Sequence, residues 1–174
     1  MIQTLTDPAQ AEAVADVAAI TFPLACPPHS RPENIAAHIA TELSPDRFAA
    51  WIAADDHDVL VARDGDALIG YTLIVYGLPA DPDVAAVVPA DGVAEISKMY
   101  VLPDHHGAGV SHRLMEAALD AARRHGATTA WLGVNDENDR AVAYYRKMGF
   151  EIVGDKSFDM NGVIEHDHVM ARSL

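Results

Sequence analysis

Cysteine, positive charge and long apolar runs are all scarce in this sequence of 174 residues. Cys26 is the single cysteine, which excludes an intrachain disulfide framework and a metal site built from several thiolates of one chain. No apolar stretch approaches the roughly 20 residues that span a bilayer, and residues 1–8 lack the basic start and apolar run of a signal peptide. We therefore expect a cytoplasmic protein that is neither exported nor inserted into a membrane.

Basic residues are outnumbered by acidic ones, 12 to 26, which gives a formal net charge of -14 at pH 7. Half of the residues are hydrophobic, so the chain has enough apolar surface to fold and must carry its charge outside a core. An acidic surface repels nucleic acid phosphates and anionic lipids. We therefore expect neither nucleic acid nor membrane as a partner, and favour a small cationic molecule.

The acidic excess is concentrated in the first half of the chain. Residues 1–92 contain 14 acidic and 3 basic residues, whereas residues 93–174 contain 12 and 9. A cation-binding site in the first part and a site for an anionic ligand in the second would produce this asymmetry. An acidic surface that serves only solubility explains it equally well.

The pattern of residues predicts one α/β (α+β) domain over residues 1–174 with a mixed sheet. The first part combines a short strand, a helix over 8–21 capped by Asp7, a second helix that begins with a capping box from Ser30 to Glu33, and a third helix after Ser44. A β-hairpin follows, with strands at 59–62 and 67–76, and then a loop over 77–92.

The second part alternates strands and helices. We predict a strand over 94–102, a helix over 109–125 ended by Gly126, a strand over 128–134, a helix over 139–148 ended by Gly149, and two final strands. The first strand-helix-strand unit must cross over, so its two strands are expected to be parallel. Strict alternation would place Glu95, Ser97, Met99 and Val101 on one face of their strand, opposite Ile96, Lys98 and Tyr100.

The loop between the strand and the helix of this unit carries two glycines, Gly107 and Gly109. Such glycines allow a tight turn in which backbone N-H groups at the helix start converge on a phosphate. The loop is not a dinucleotide-binding fingerprint, because His112 stands at the third glycine, and no Gly-Lys-Ser/Thr follows as in a P-loop. A diphosphate site and a plain tight turn both fit it.

A later segment combines with this loop into a family pattern. Residues 138–150 fit Asn-x-x-Ala-x-x-x-Tyr-x-x-x-Gly-Phe at every named position, through Asn138, Ala141, Tyr145, Gly149 and Phe150. The chain thereby resembles the GNAT family of N-acetyltransferases, in which a Gln/Arg-x-x-Gly-x-Gly/Ala loop holds the acetyl-CoA pyrophosphate. Residues 131–134, 147–150 and 170–174 resemble PaiA-type spermidine/spermine N-acetyltransferases in particular. The resemblance implies a mostly antiparallel central sheet flanked by helices.

The resemblance also implies where acetyl-CoA binds. The pyrophosphate loop would consist of His106, Gly107, Ala108, Gly109, Val110 and Ser111, with His106 and Ser111 departing from the family pattern. Backbone groups of Met99 and Val101 would pair with the pantetheine arm like an added strand, and Asn138 would also contact it. Lys147 or Arg146 would meet the 3′-phosphate, although both also fit solvated charges on a helix surface. The division into an acceptor-side part, 1–92, and an acetyl-CoA-binding part, 93–174, follows the same resemblance.

Two residues are candidates for proton transfer. An alkylamine has a pKa near ~10.4, so it must lose a proton before it attacks a thioester. Glu95 stands where the family places an acidic residue for this task, although it also fits a solvated carboxylate at a strand end. Tyr145 matches the family tyrosine that protonates the leaving thiolate, while Tyr144 is expected to pack or to line the acceptor pocket.

The acceptor is expected to be a small cationic amine such as a polyamine. A protein amine, an amino-sugar amine or an amino-acid amine remains an alternative, as does a non-catalytic acyl-CoA-binding module that keeps the fold without turnover. A homodimer is common among GNAT-like domains. His166 with His168 makes an incomplete zinc site, and Cys26 has no paired base, so we expect neither a metal nor an acyl-cysteine step.

Overall fold

A mixed sheet with an opening between two of its strands organises the fold. The structure is a computed structural model that describes residues 1–160 and 162–174. In these residues one sheet contains seven strands in the order β1-β2-β3-β4-β5-β7-β6. The strands are β1 (Ile2–Thr4), β2 (His57–Asp64), β3 (Ala67–Tyr76), β4 (Val93–Val101), β5 (Thr129–Asn135), β6 (Glu151–Met160) and β7 (Val163–Ser173). Neighbouring strands are antiparallel except β4 and β5, which the predicted crossover makes parallel.

Helices cover both faces of the sheet. They are α1 (Ala11–Ala25), α2 (Pro32–Glu42), α3 (Pro45–Ala53), α4 (Pro82–Ala85), α5 (Val110–Arg124) and α6 (Asp139–Lys147). On one face, Val14 of α1 and Phe48 of α3 pack with Tyr71 of β3. On the other face, Met115 of α5 packs with Leu132 of β5. This mixed α/β arrangement, with helices flanking a mostly antiparallel sheet, agrees with the predicted fold class. Among the described residues we find no helix that combines the length and apolar character of a membrane span.

Local signals place most helix starts correctly. Asp7 accepts a hydrogen bond from the Ala9 N-H at a 3-10 turn that leads into α1, and Ser44 accepts one from the Arg47 N-H at the start of α3. The predicted capping box at Ser30 is wrong, because Arg31 is the N-cap of α2 and makes no side-chain cap bond. Proline is favoured at the first helical position, so Pro32 sets the start of α2 one residue later than the box requires.

A β-bulge in β4 overturns the predicted alternation of side chains. Ile96 pairs with Ile74 and Lys98 with Leu73, which leaves Ser97 as an extra residue in β4. Ile96 and Met99 therefore both pack on the α5 side of the sheet, and Lys98 lies over Trp51 of α3 on the opposite side. Glu95 thus shares its face with Lys98, and Met99 and Val101 lie on the other face, because the extra residue reverses the period-two pattern after Ser97.

Candidate functional site

The opening in the sheet lies between β4 and β5. Their ladder joins three residue pairs, Val93 to Thr129, Ala94 to Ala130 and Glu95 to Trp131. Beyond Glu95 a cavity of about 430 Å³ lies between the two strands, lined by residues 95–100 and 133–135. Parts of α1, α2, α6, β6 and β7 complete its wall.

The edge of β4 directs backbone groups into this opening. The Leu102 N-H donates to Ile69 of β3, so alternation turns the backbone groups of Val101 and Met99 towards β5. The Val101 carbonyl accepts a hydrogen bond of 2.8 Å from Nε2 of His106. The His106 ring is thus folded back onto β4, and the Met99 groups and the Val101 N-H face the opening.

The loop over 106–111 forms a tight turn into α5. Gly107 and Gly109 have φ angles of 82° and 72°, which favour glycine, and Gly109 is the N-cap residue of α5 without a side-chain cap bond. The first N-H groups of a helix have no acceptor within the helix, so those of Val110 and Ser111 are suited to an anion. The Ala108 carbonyl accepts a hydrogen bond from the Arg113 guanidinium group, which stabilises the loop.

Glu95 and Tyr145 approach the cavity from opposite faces of the sheet. Burial raises the pKa of the Glu95 carboxyl, and the nearby ammonium groups of Lys98 and Lys156 oppose that rise. Burial also raises the pKa of the Tyr145 hydroxyl to about 12, so this hydroxyl keeps its proton at neutral pH. The Tyr145 ring rests on Phe150 with its centroid 6.1 Å away. Tyr144 points away from the cavity and packs in the core beside α5.

The two remaining predicted residues differ in position. Asn138 lines the cavity, and its Oδ1 atom accepts a hydrogen bond of 3.0 Å from the Ala141 N-H as the cap of α6. Its amide NH₂ group is the part that faces a ligand. Lys147 is exposed and borders a separate surface depression next to His112 of α5. The cavity therefore brings together Glu95, Met99, Asn138 and Tyr145, while the 106–111 loop and Lys147 lie outside its lining.

Several charged residues of the cavity escaped the sequence analysis. Glu165 is 6% exposed, and its Oε1 atom lies 3.1 Å from Nε2 of His29. Asp167 lies two residues further on the same face of β7, and burial raises the pKa of its carboxyl. The alternation of Glu165 and Asp167 was a signal that could have found them. The basic residues of the lining are Lys98, Lys156 and His38, and burial lowers the pKa values of Lys98 and His38.

The carboxylates of the cavity come from the second part of the chain. Glu95, Glu165 and Asp167 belong to β4 and β7, whereas the described lining residues from 1–92 include no acidic one. The prediction that the acidic first part supplies a cation site at the cavity is therefore not supported. Acidic residues of that part, such as Glu33 and Asp46, lie on exposed helix surface where water solvates them.

The cysteine and the histidine pair carry no evident chemistry. Cys26 lines the cavity, and burial raises the pKa of its thiol to about 11, which disfavours the nucleophilic thiolate. His168 forms a hydrogen bond with Asp155, and His166 is exposed on the same side of β7. Within the described residues there is no group of three or more His, Cys, Asp or Glu side chains that could hold a metal ion.

Comparisons with known proteins agree with this geometry. The model of the acetyltransferase (GNAT) family matches residues 22–150. An uncharacterized N-acetyltransferase of Mycobacterium tuberculosis is 41% identical over 164 residues, 94% of this chain and 97% of its own. Streptothricin acetyltransferase of Streptomyces lavendulae is 32% identical over 127 residues, 70% of this chain and 65% of its own.

A solved structure shares the fold over the full length. PaiA N-acetyltransferase from Thermoplasma acidophilum, in complex with coenzyme A, aligns with a TM-score of 0.77, covering 100% of this chain and 99% of its own at 18% identity. The chain therefore belongs to the GNAT family, as an N-acetyltransferase with acetyl-CoA as its donor.

Proposed function

We propose that the chain transfers an acetyl group from acetyl-CoA directly to a primary amine of a small cationic acceptor, such as a polyamine. The observation that carries this proposal is the group of three carboxylates, Glu95, Glu165 and Asp167, that lines the opening beside Tyr145. A partly buried carboxylate is stabilised by positive charge, and a protonated amine would add to the charge that Lys98 and Lys156 already bring to the cavity.

Residues of the second part would hold the donor. The turned-out backbone groups of Met99 and Val101 suit an extended arm that pairs as an additional strand, and such pairing requires no particular side chain. The N-terminus of α5, with Gly107, Ala108, Gly109, Val110 and Ser111, suits the pyrophosphate. The Asn138 amide would contact the pantetheine arm, and Lys147 would meet the 3′-phosphate. His106 would act by holding the loop against β4.

Glu95 would remove the proton of the acceptor amine. Burial raises the pKa of its carboxyl, which makes it a stronger base, and the positive charges of Lys98 and Lys156 favour its ionised form. The amine nitrogen then forms its bond to the acetyl carbon as the bond from that carbon to sulfur breaks. Tyr145 would give its proton to the departing thiolate, because its hydroxyl stays protonated at neutral pH.

Glu165 and Asp167 would bind positive charge of the acceptor away from the reacting amine. Glu165 is buried, and its Oε1 atom lies 3.1 Å from Nε2 of His29. An acceptor ammonium group would bind the Glu165 carboxylate beside His29 or in its place. In this scheme residues 1–174 work as one domain, with α1 and α2 of the 1–92 part covering the acceptor side and the 93–174 part binding the donor.

The amine of streptothricin is a second candidate acceptor. The observation that favours it is the relative that acts on streptothricin, which is 32% identical over 70% of this chain. Both candidates share the same donor site, so the acceptor alone distinguishes them.

A thiol-release assay over a panel of amines tests the proposal. We expect spermidine and spermine to give the highest kcat/KM, above streptothricin, lysine peptides and amino sugars. Binding of acetyl-CoA, measured by calorimetry, is the control that the donor site is intact. A preference for streptothricin or for a peptide would contradict the polyamine assignment. Binding without thiol release for any amine would identify a non-catalytic module.

High salt is expected to weaken the binding of a polyamine more than that of a monoamine. The Debye length falls from about 8 Å at 0.15 M to about 3 Å at 1 M ionic strength, so attraction between the cavity carboxylates and a polycation is screened. We expect the KM of spermidine to rise with salt by a larger factor than the KM of a butylamine control. Equal sensitivity would show that these carboxylates do not bind the acceptor through its extra charge.

A further inference from the structure

A glycine in β5 leaves a path across the sheet for a lysine side chain. Gly133 has no left-handed φ angle, so glycine is not required there for backbone conformation. A Cβ atom at Gly133 would lie 2.7 Å from Cε of Lys156 and 3.3 Å from Oδ2 of Asp167. The first distance is shorter than carbon atoms tolerate, so the missing side chain is what lets Lys156 lie over β5.

Lys156 starts far from the place where its ammonium group ends. It belongs to the edge strand β6, opposite Asp167 of β7, which is in turn opposite Asn135 of β5. Its side chain crosses β7, reaches Gly133 and lines the cavity, with Nζ 3.7 Å from Oδ2 of Asp167. Both side chains are about one-sixth exposed, at 17% and 16%. Both charged groups are therefore well shielded from water, and the positive charge of Lys156 acts over a longer range than an exposed charge would.

Glu95 is another acidic group of the cavity on which this ammonium group acts. Both residues line the same cavity, and the positive charges of Lys98 and Lys156 counter the effect of burial on the pKa of Glu95. His57 of β2 and Ser97 of the bulge also favour the ionised form. The remaining titratable residues around the cavity are Cys26 just after α1, His38 of α2, Tyr100 of β4, Tyr145 of α6, and Glu165 and Asp167 of β7.

We propose that Lys156 is a positioning residue for Glu95: passing over Gly133 and anchored by Asp167, it carries a positive charge from the edge strand into the cavity and holds Glu95 as the carboxylate that accepts the acceptor's proton. This inference rests on the proposed role of Glu95 in acetyl transfer. Lys98 shares the task from within β4, but its ammonium group lies over the Trp51 ring, 5.0 Å from its centroid. Lys156 supplies the charge from the opposite wall.

The Lys156→Met variant of the full chain tests this contact. Methionine keeps much of the length of the side chain and removes the charge, so the ionised form of Glu95 loses stabilisation and its pKa rises. We expect the titration midpoint of the Glu95 carboxyl, followed by the ¹³C shift of labelled glutamate and assigned with Glu95→Gln, to rise by about one pH unit. The acid limb of kcat/KM should move up by the same amount, with about a tenfold loss below it relative to the variant's own plateau.

Gly133→Ala provides an independent variant that keeps the lysine. The added methyl group would displace Lys156 from its path, so the Glu95 midpoint should move in the same direction as in Lys156→Met. The Lys156→Arg variant keeps the positive charge, so its Glu95 midpoint should lie closer to that of the wild type than the midpoint of Lys156→Met does. Arg31→Met is the matched control: it removes a positive charge from a side chain that is 66% exposed and pairs with Glu33, and it should leave the midpoint unchanged.

Two results would separate this inference from the proposed function. An unchanged Glu95 midpoint in both folded Lys156→Met and Gly133→Ala, judged by their circular dichroism, would overturn the inference and reduce Lys156 to a structural partner of Asp167. Absence of thiol release from the wild-type protein would overturn the proposed function, while the carboxyl titration would still decide whether Lys156 controls the charge of Glu95.

Discussion

Replacing Tyr145 with phenylalanine is expected to lower kcat at least tenfold while the Kd of acetyl-CoA stays the same. The variant removes only the hydroxyl, and the edge-to-face contact of the ring with Phe150 is kept. Without this proton donor the thiolate must leave unprotonated or take a proton from water, and positioned proton transfer contributes about 10²–10⁴-fold to a rate. Steady-state thiol release gives kcat, and calorimetry gives the Kd.

Tyr144→Phe is the matched control for this result. Its hydroxyl is buried, has no hydrogen-bond partner among the described residues and does not line the cavity, so its removal leaves none of them unsatisfied. We expect kcat to be unchanged in this variant. Full turnover in Tyr145→Phe, or an equal loss in both variants, would remove Tyr145 from the role of proton donor.

Replacing Glu95 with glutamine is expected to lower kcat/KM for a polyamine about 100-fold or more near pH 7. Glutamine has nearly the same shape but cannot accept the proton of the ammonium group. The loss should shrink as pH rises, because the free-amine fraction of an acceptor with a pKa near ~10.4 increases and the need for a base falls. The measurement is the pH dependence of kcat/KM from pH 6 to about pH 10, compared with the wild type.

Glu151→Gln is the control for this second result. It makes the same chemical change at an exposed position of β6, away from the residues that line the cavity, and should not alter the profile. A loss in Glu95→Gln that is equal at every pH would indicate a role in binding or packing. Retention of kcat/KM near pH 7 would show that Glu95 is not the base.

Local features of the site could be predicted because their physics is local. Gly107 and Gly109 lie in the left-handed region at the start of α5, and Gly126 and Gly149 lie in the same region after the ends of α5 and α6, because the glycine and a few neighbouring residues are sufficient to determine such turns. The same holds for the parallel crossover from β4 to β5, which follows from chain connectivity. The match of residues 138–150 to the family pattern led to the family itself, which the comparisons confirm.

Features that depend on distant residues could not be predicted. The bulge at Ser97 is a property of the pairing between β3 and β4, and it reverses which side chains share a face with Glu95. The contact of His29 with Glu165 joins residues 136 positions apart. A cation site in the acidic first part was one of two explanations for the uneven charge, yet the carboxylates that line the cavity belong to β4 and β7, because overall charge does not indicate which acidic residues turn inward.

The sequence by itself determined the family, the donor, the order of most strands and helices, and the turn that leads into α5. The family and the donor follow from the resemblance of residues 138–150 to the GNAT pattern. The strands, the helices and the turn follow from short-range spacing, glycine conformation and hydrophobic periodicity, which act within a few residues of the chain. Only the tertiary structure decided which charges meet in the cavity. Lys156 reaches the cavity because β5 has a glycine where the side chain must cross, and that space exists only once β5, β6 and β7 are packed side by side.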